Sequence, residues 1–457
     1  MFNRIPLPAR ILLIIVVLLI LAIVVYNIPY VNSRLSWRLD DLRAQIVYFF
    51  RPPDKAVFQP ATQKPGAGTG TLPPPQVQIR THTPETTPTP SGPTPTPTIT
   101  PTPLPAAVAL PGVFYVEQSG GYNLCAPSNL TMALKFWKWP GTRDDILHVI
   151  KPGINDPTLE FFVRGKTDKN VMPYEMVDFV NDNTKFHALS RYGGNLQVLK
   201  NLIAAGYPVV VEKGEVQCES FYSCTTISWM GHYLFINGYD DASKTFLVQD
   251  SYRDGPNFKE DADKLYNEWR AFDYLFMVVY PADREPLVNA ALGEWADPAW
   301  ANQHALDVAN QDTQNLSLSG VDAYFAWFNK GTSHVQLLQY QDAANAYDQA
   351  FLLYSNLTVD KEHLPFRMMW YQTGPYKAYF YSARYQDVID LANVTLKTIS
   401  DPTLEETLYW RGMAEQAVGQ TNAAIADLQQ ANHLNPKMAV IIQALENLGL
   451  TPETPIK

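Results

Sequence analysis

Apolar residues open the chain as an unbroken block. Residues 11–26 read ILLIIVVLLILAIVVY, without a charge or a strong polar group, and only Asn27 interrupts the apolar character before Val31. About 20 such residues suffice for one bilayer crossing. A cleaved signal peptide would carry a shorter apolar core followed by a small-residue cleavage site. Here Asn27-Ile28-Pro29-Tyr30 follows, so residues 1–32 are expected to form an uncleaved, single-pass transmembrane anchor. Over 33–51 the pattern turns periodic: Leu35, Leu39, Leu42, Ile46 and Phe49 recur at steps of 4, 3, 4 and 3, the stripe of an amphipathic helix. Such a juxtamembrane helix can lie on the membrane surface, extend the anchor, or pair as a short coiled-coil seam.

Patterning stops at 52. Residues 52–111 hold almost half of the 36 prolines, with Thr between them, as in TTPTPSGPTPTPTITPTPLP. Pro removes backbone donors and Thr-Pro repeats bury nothing, so the segment is expected to be a disordered, extended Pro/Thr stalk that holds a domain away from a surface. Anchor and stalk together predict globular domains outside the cytoplasm, tied to the cell membrane. From 112 to 283 helical and strand signals mix: a helix near 129–137, buried strands at 208–211 and 233–239, and a further strand at 272–280. This is an α+β pattern. Beyond 284 strand signals vanish and helical patterns with Ala at interface positions run to 451, leaving 452–457 as a tail.

Two stretches of the helical part align with each other. In a unit starting at Tyr324, Trp327, Gly331, Ala343, Tyr347 and Ala350 take positions 4, 8, 20, 24 and 27; in a unit starting at Glu405, Leu408, Gly412, Ala424, Leu428, Ala431 and Pro436 take positions 4, 8, 20, 24, 27 and 32. The small residues let the two helices of a hairpin approach, and the large ones fill the gap. The pattern resembles the tetratricopeptide repeat. Residues 368–396 look like a degenerate third unit with irregular spacing, which makes the minimum of three for a stable solenoid. The resemblance implies an all-α repeat domain that engages a protein partner.

Composition narrows the functional classes. The formal net charge is −10, a poor balance for a nucleic-acid binder, which usually shows a basic face. Three cysteines are too few for a disulfide scaffold or for a metal site of thiolates alone. The chain has no phosphate loop, no H-E-x-x-H and no paired-Cys zinc pattern, so neither a metal nor a cofactor is expected. Cys218 and Cys224 flank ESFYS, a spacing that permits a short disulfide where geometry allows. An oxidising exterior favours that bond and leaves Cys125 as the odd free thiol; two reduced thiols are the alternative.

Cys125 lies in GGYNLCAPSNLTMALKFW, where a Gly-rich turn leads into an apolar-periodic helix. A sulfur near a helix N-terminus sits at the positive end of the dipole, which favours the reactive thiolate form. Pro127 suits the first helical turn, where its missing N–H is no loss. GHYLFINGYDDASKTFLVQDSY reads as a hairpin with strands at 232–239 and 245–250. A turn centred at residue 241 sets His232 directly opposite Asp250. Directly opposed residues share a face with Cβ atoms roughly 4.5–5.5 Å apart. The carboxylate can then accept from one imidazole nitrogen and leave the other for a thiol.

The set Gln118, Cys125-Ala126-Pro127, Gly231-His232-Tyr233, Gly238-Tyr239-Asp240 and Asp250-Ser251-Tyr252 resembles the bacteriocin-processing, double-glycine-leader cysteine peptidases in their broad sense, over about residues 113–280. The resemblance implies a papain-like α+β domain with Cys125 as nucleophile, His232 as general base, Asp250 as its orienting partner and Gln118 as oxyanion donor. It implies action on peptide or protein amide bonds. Ala126 stands where that family usually has Gly. No transporter module is fused here, so a leader-peptide substrate does not carry over. The competing expectation is a catalytically inactive, peptidase-like protein that binds peptides or scaffolds the envelope.

Overall fold

The computed structural model describes residues 58–61, 103–119, 124–158, 164, 170–218, 227–357, 364–399 and 403–456, and of the N-terminal stretch only 15–18, 20, 21, 25, 26, 46 and 50. The expected anchor and amphipathic stripe thus fall largely outside the described residues; the few positions described there are helical. Among the described residues no helix is long and apolar enough to cross a membrane.

An antiparallel sheet forms the first half of the folded body. Its strands are β1 (Ala107–Ala109), β2 (Phe186–Arg191), β3 (Val209–Cys218), β4 (Ile227–Asp240), β5 (Thr245–Gln249), β6 (Phe258–Asp261) and β7 (Phe276–Pro281). The order is β2-β7-β3-β4-β5-β6, with β1 also on β4. The long strand β4 organises it. β3 pairs along its first ten residues, and β1 takes over on that side where β3 ends, with Val108 opposite Tyr239. On the other side β5 pairs only from Phe235 onward, so the first half of β4 presents an edge that β5 does not cover. The helices of this half are α1 (Cys125–Phe136), α2 (Arg143–Ile150), α3 (Pro173–Asn183), α4 (Leu196–Ala204) and α5 (Ala262–Trp269).

Alternation along the strands divides the core into two layers. Val210, Tyr233, Phe235, Met277 and Val279 face α1, which presents Ala126, Leu130 and Ala133. Val209, Val211, Leu234, Ile236 and Val278 face the opposite way, onto Val198, Leu199, Leu202 and Ile203 of α4. The apolar run at 209–211 is continuous because both faces are buried. Two sequence expectations need correction. The strand at 272–280 begins only at Phe276: Asp273 and Tyr274 have φ of 51° and 52°, a left-handed turn that ends any extended run. The Pro/Thr stalk does not extend to 111, because β1 is part of the sheet and Tyr239 Oη donates to Pro105 O at 2.7 Å.

The second half is helical: α6 (Glu285–Leu292), α7 (Pro298–Gln314), α8 (Gly320–Gln336), α9 (Tyr340–Ser355), α10 (Met368–Tyr371), α11 (Gly374–Tyr381), α12 (Tyr385–Lys397), α13 (Glu405–Ala417), α14 (Thr421–Leu434) and α15 (Ala439–Asn447). In two hairpins a glycine faces a large residue. A Cβ on Gly331 would come within 2.6 Å of the Tyr347 ring, and one on Gly412 within 3.0 Å of Leu428. Glycine is thus required by the close approach of α8 to α9 and of α13 to α14.

The helices keep part of their core to themselves, in the cluster around Leu428 and Ile441, but share the larger part with the sheet half. Their largest apolar cluster takes in Trp229, Ala271, Phe272 and Leu275 from the sheet half, together with Phe328, Tyr347 and Tyr376. The irregular middle unit has a reason in this docking. Around α10, Arg367 donates to Trp229 O at 3.0 Å and to Ser228 Oγ, and Gln372 donates to Ala271 O at 2.9 Å. The tail also returns to the sheet half, where Asn155 Nδ2 donates to Glu453 Oε2 at 2.8 Å. Lys151 Nζ, fully buried, lies 2.7 Å from Glu405, 3.2 Å from Glu175 and 3.6 Å from Glu406. One ammonium cannot balance three buried carboxylates. Burial first, and then the charge of Glu405, push the Glu406 carboxyl up to about 8.

Truncating Trp229 to Ala should cost about 3–5 kcal/mol, and both halves should lose stability in one transition; urea unfolding followed separately by near- and far-ultraviolet circular dichroism checks this. Glu406 keeps its proton in the folded state well above its ordinary range, so stability should fall as pH rises from about 4.5 to about 8. The urea midpoint of Glu406→Gln should lose that part of the pH dependence and exceed the parent's at pH 8.

Candidate active site

Helix α1 starts at Cys125 with no side chain capping its N-terminus. Ala126 through Leu134 are all buried, so packing against the sheet fixes the helix although a cap is missing. The thiol is free and half-buried. His232 comes from the uncovered half of β4 and is 2% exposed. Its Nε2 lies 2.8 Å from Asp250 Oδ1, and the Cys125 side chain lies near enough to add to the rise of the imidazole pKa. With Nε2 engaged by the carboxylate, Nδ1 is the nitrogen left for sulfur.

The two residues meet by a different register from the one expected. His232 stands opposite Lys213 of β3, and β5 ends at Gln249, opposite Phe235. Continuing that register places Asp250 opposite Leu234, so it reaches His232 diagonally, along the same face. A bulge decides the face. Near the turn Tyr239 pairs with Phe246 and Gly238 with Leu247, but beyond Asn237 the pairing steps to Ile236 with Val248. Without that one-residue step Asp250 would oppose Phe235 and point to the other face.

Asp250 is held from several sides. Its Oδ1 accepts from Tyr252 N at 2.7 Å and its Oδ2 from Asp254 N at 3.1 Å. Burial alone would raise its pKa, but the His232 charge, the bond to it and these N–H groups hold the carboxyl well below its usual range. For His232 burial lowers the pKa, and the charge and hydrogen bond of Asp250 together with the neighbouring Cys125 outweigh it, so the imidazole is raised well above its ordinary value. An imidazolium beside a thiol is the electrostatic condition for a nucleophilic thiolate.

Gln118 reaches the same place from the segment before α1. Its backbone N–H donates to Ser251 O at 2.8 Å, and its Oε1 accepts from Ser251 Oγ at 2.9 Å. That fixes the amide and leaves its NH2 end as the donor available to a ligand. All four sequence-derived residues, Gln118, Cys125, His232 and Asp250, therefore gather around one strand and one helix end. Cys218 is disulfide-bonded while Cys125 is free. Cys224, the partner expected from the sequence, lies outside the described residues.

Three further residues at the site escaped the sequence reading. Asn129 Nδ2 donates to Cys125 O at 2.8 Å, Tyr233 O at 2.9 Å and Ser251 Oγ at 3.3 Å, tying helix, strand and loop together. Its position one helical turn after Cys125, on the same face, was the available signal. Ser251 was visible only as the neighbour of Asp250. Glu212 lies opposite Tyr233, and burial pushes its carboxyl well above the usual range, with Cys125 adding to the effect. Just before α3, Glu175 Oε2 accepts from Met172 N at 2.7 Å, closing the helix start.

Comparison with known proteins adds one family. Residues 111–277 match the model of the Peptidase_C39 like family, so this part of the chain is similar to a family of cysteine peptidases. No curated protein matches the chain. Among solved structures the chain is similar to one described as a C39-like peptidase from Bacillus anthracis, with 16% identity over 38% of this chain and 96% of that one and a TM-score of 0.29. It is also similar to Xylellain, a cysteine protease from Xylella fastidiosa, with 17% identity over 39% of this chain and 87% of that one and a TM-score of 0.26.

Replacing Asp250 by Asn removes the charge that offsets the burial of His232. The His232 pKa should then fall; a pH titration of its ring protons by NMR measures the shift, and a value as high as the parent's would contradict the pairing.

Proposed function

We propose that this protein is a cysteine peptidase anchored to the cell membrane by its apolar N-terminal run, with its folded body outside the cytoplasm, acting on peptide or protein amide bonds. One observation carries the reading: His232 is paired with Asp250 at 2.8 Å, and Cys125, which adds to the rise of the imidazole pKa, stands at the start of a helix in the segment that matches the peptidase family.

In this reading the Cys125 thiolate attacks the scissile carbonyl carbon and the C=O electron pair moves onto oxygen. The Cys125 N–H and the Gln118 amide NH2 donate to that oxyanion. As the tetrahedral adduct collapses, the C–N bond breaks and the His232 imidazolium gives its proton to the departing amine, leaving a thioester. Neutral His232 then takes a proton from water as the water oxygen attacks the thioester carbonyl, and Cys125 departs as thiolate. Asp250 holds the ring in one tautomer throughout. The helical half, with its repeat-like hairpins, is proposed to engage a protein partner. The resemblance to leader-processing peptidases extends to the chemistry and not to that substrate.

The test uses the full chain with iodoacetamide and with a mixed peptide library. Cys125→Ala should abolish turnover and keep the fold, since Ala fits wherever the thiol packed. His232→Ala should slow turnover by about 100-fold or more and slow alkylation of Cys125 at neutral pH. Asp250→Asn should give a partial loss. Unchanged alkylation in His232→Ala would sink the pair.

A further inference from the structure

We propose that residues 58–61 are an intramolecular ligand of the helical half, a latch in which Phe58 plugs an aromatic socket.

Phe58 is the one aromatic residue between the amphipathic stripe and the Thr-Pro run, in a stretch whose composition builds no core. It is nevertheless 4% exposed. Its ring meets Phe351 of α9 edge-on at 5.0 Å and Tyr379 of α11 at 5.9 Å, so it bridges two helical hairpins and joins their main cluster. Polar contacts fix the register. Ala61 N donates to Asp387 Oδ1 at 2.9 Å. Asp387 is itself 5% exposed, and its other oxygen accepts from Arg384 Nε at 2.7 Å, while Arg384 also donates twice to Asp348, at 2.8 and 2.9 Å. The buried carboxylate oxygen thus has Ala61 as its donor among the described residues, and without the latch it would lose that bond. Pro60, between plug and donor, limits the backbone freedom lost on docking.

The other end of the Pro/Thr stretch is pinned as well. Tyr239 Oη donates to Pro105 O at 2.7 Å, Asp241 N donates to Ala106 O at 2.9 Å, and β1 follows directly. The described residues on either side of 62–102 are thus held, one set at the helical half and the other at the sheet. Closing a loop costs little more as it lengthens, and the tether keeps the plug at an effective concentration of roughly millimolar. One buried aromatic ring and one charge-assisted bond are enough at that concentration. On the proposed membrane anchoring, the latch shortens the tether from 32–102 to 32–57 and brings the helical half nearest the bilayer. Only this consequence rests on that reading; the latch does not.

The experiment is hydrogen exchange read by mass spectrometry on the full chain and on Phe58→Ala, a substitution outside every helix and strand of the fold. In the parent, the Gln59 and Ala61 amides should exchange at least about 10-fold more slowly than in Phe58→Ala, and segments 347–354 and 376–388 should gain exchange in the variant. A synthetic peptide of residues 55–64 at millimolar concentration should restore protection to those segments in Phe58→Ala and change nothing in the parent, whose socket is filled. Equal exchange of Gln59 and Ala61 in the two chains, or a peptide that protects the parent and the variant alike, would overturn the latch. Cys125 reactivity plays no part in this readout, so failure of the peptidase reading leaves the outcome unaffected.

Discussion

A charged imidazole next to a carboxylate, both out of water, is the constraint around which the site is built. Burying either ion alone is expensive, and mutual attraction repays the cost only when the geometry is good and the remaining lone pairs are satisfied. Here Asp250 receives the ring nitrogen and the N–H groups of Tyr252 and Asp254. The loop after β5 can curl back to deliver those groups because β5 stops at Gln249. The bulge beyond Asn237 gives Asp250 the correct face. The early end of β5 also opens the edge of β4 where His232 lies, and α1 brings Cys125 to it.

The same opening explains why the helical half is part of the site's support and not an appended module. An uncovered strand edge carrying a buried histidine invites solvent. The segment around α10 packs there instead: Tyr371 and Phe272 press on Gly231, where a Cβ would come within 3.2 and 2.7 Å of them. Arg367 holds the strand through Ser228 and Trp229. Gly231, directly before His232, is glycine because two aromatic rings occupy the space a side chain would need. A partner that shifted the helical hairpins would therefore act on the strand that carries the imidazole.

Much was legible in the sequence where local chemistry is self-sufficient. The Gly-rich turn into an apolar helix located Cys125, a hairpin with a polar turn located His232 and Asp250, and glycines facing large residues marked the tight hairpins α8–α9 and α13–α14. The diagonal contact of His232 with Asp250 was not legible, because a bulge shifts pairing by one residue without changing the hydrophobic pattern. The role of Asn129 was not legible either, since it depends on acceptors from three separate segments.

Sequence by itself determined the division into a Pro/Thr-rich stretch, an α+β half and a helical half, and which residue types could form a thiol–imidazole–carboxylate set. Those properties come from periodicity and side-chain chemistry, which act over a few residues. The tertiary structure alone decided that the helices share a core with the sheet through Trp229 and Phe272. It alone decided that Lys151 meets Glu405 and Glu406 far along the chain, and that Phe58 leaves a Pro/Thr-rich stretch for a socket between Phe351 and Tyr379. Each of these is a contact between residues hundreds of positions apart or nearly so. Its energy comes from apolar area or charge removed from water on both sides at once, and no local pattern records the partner.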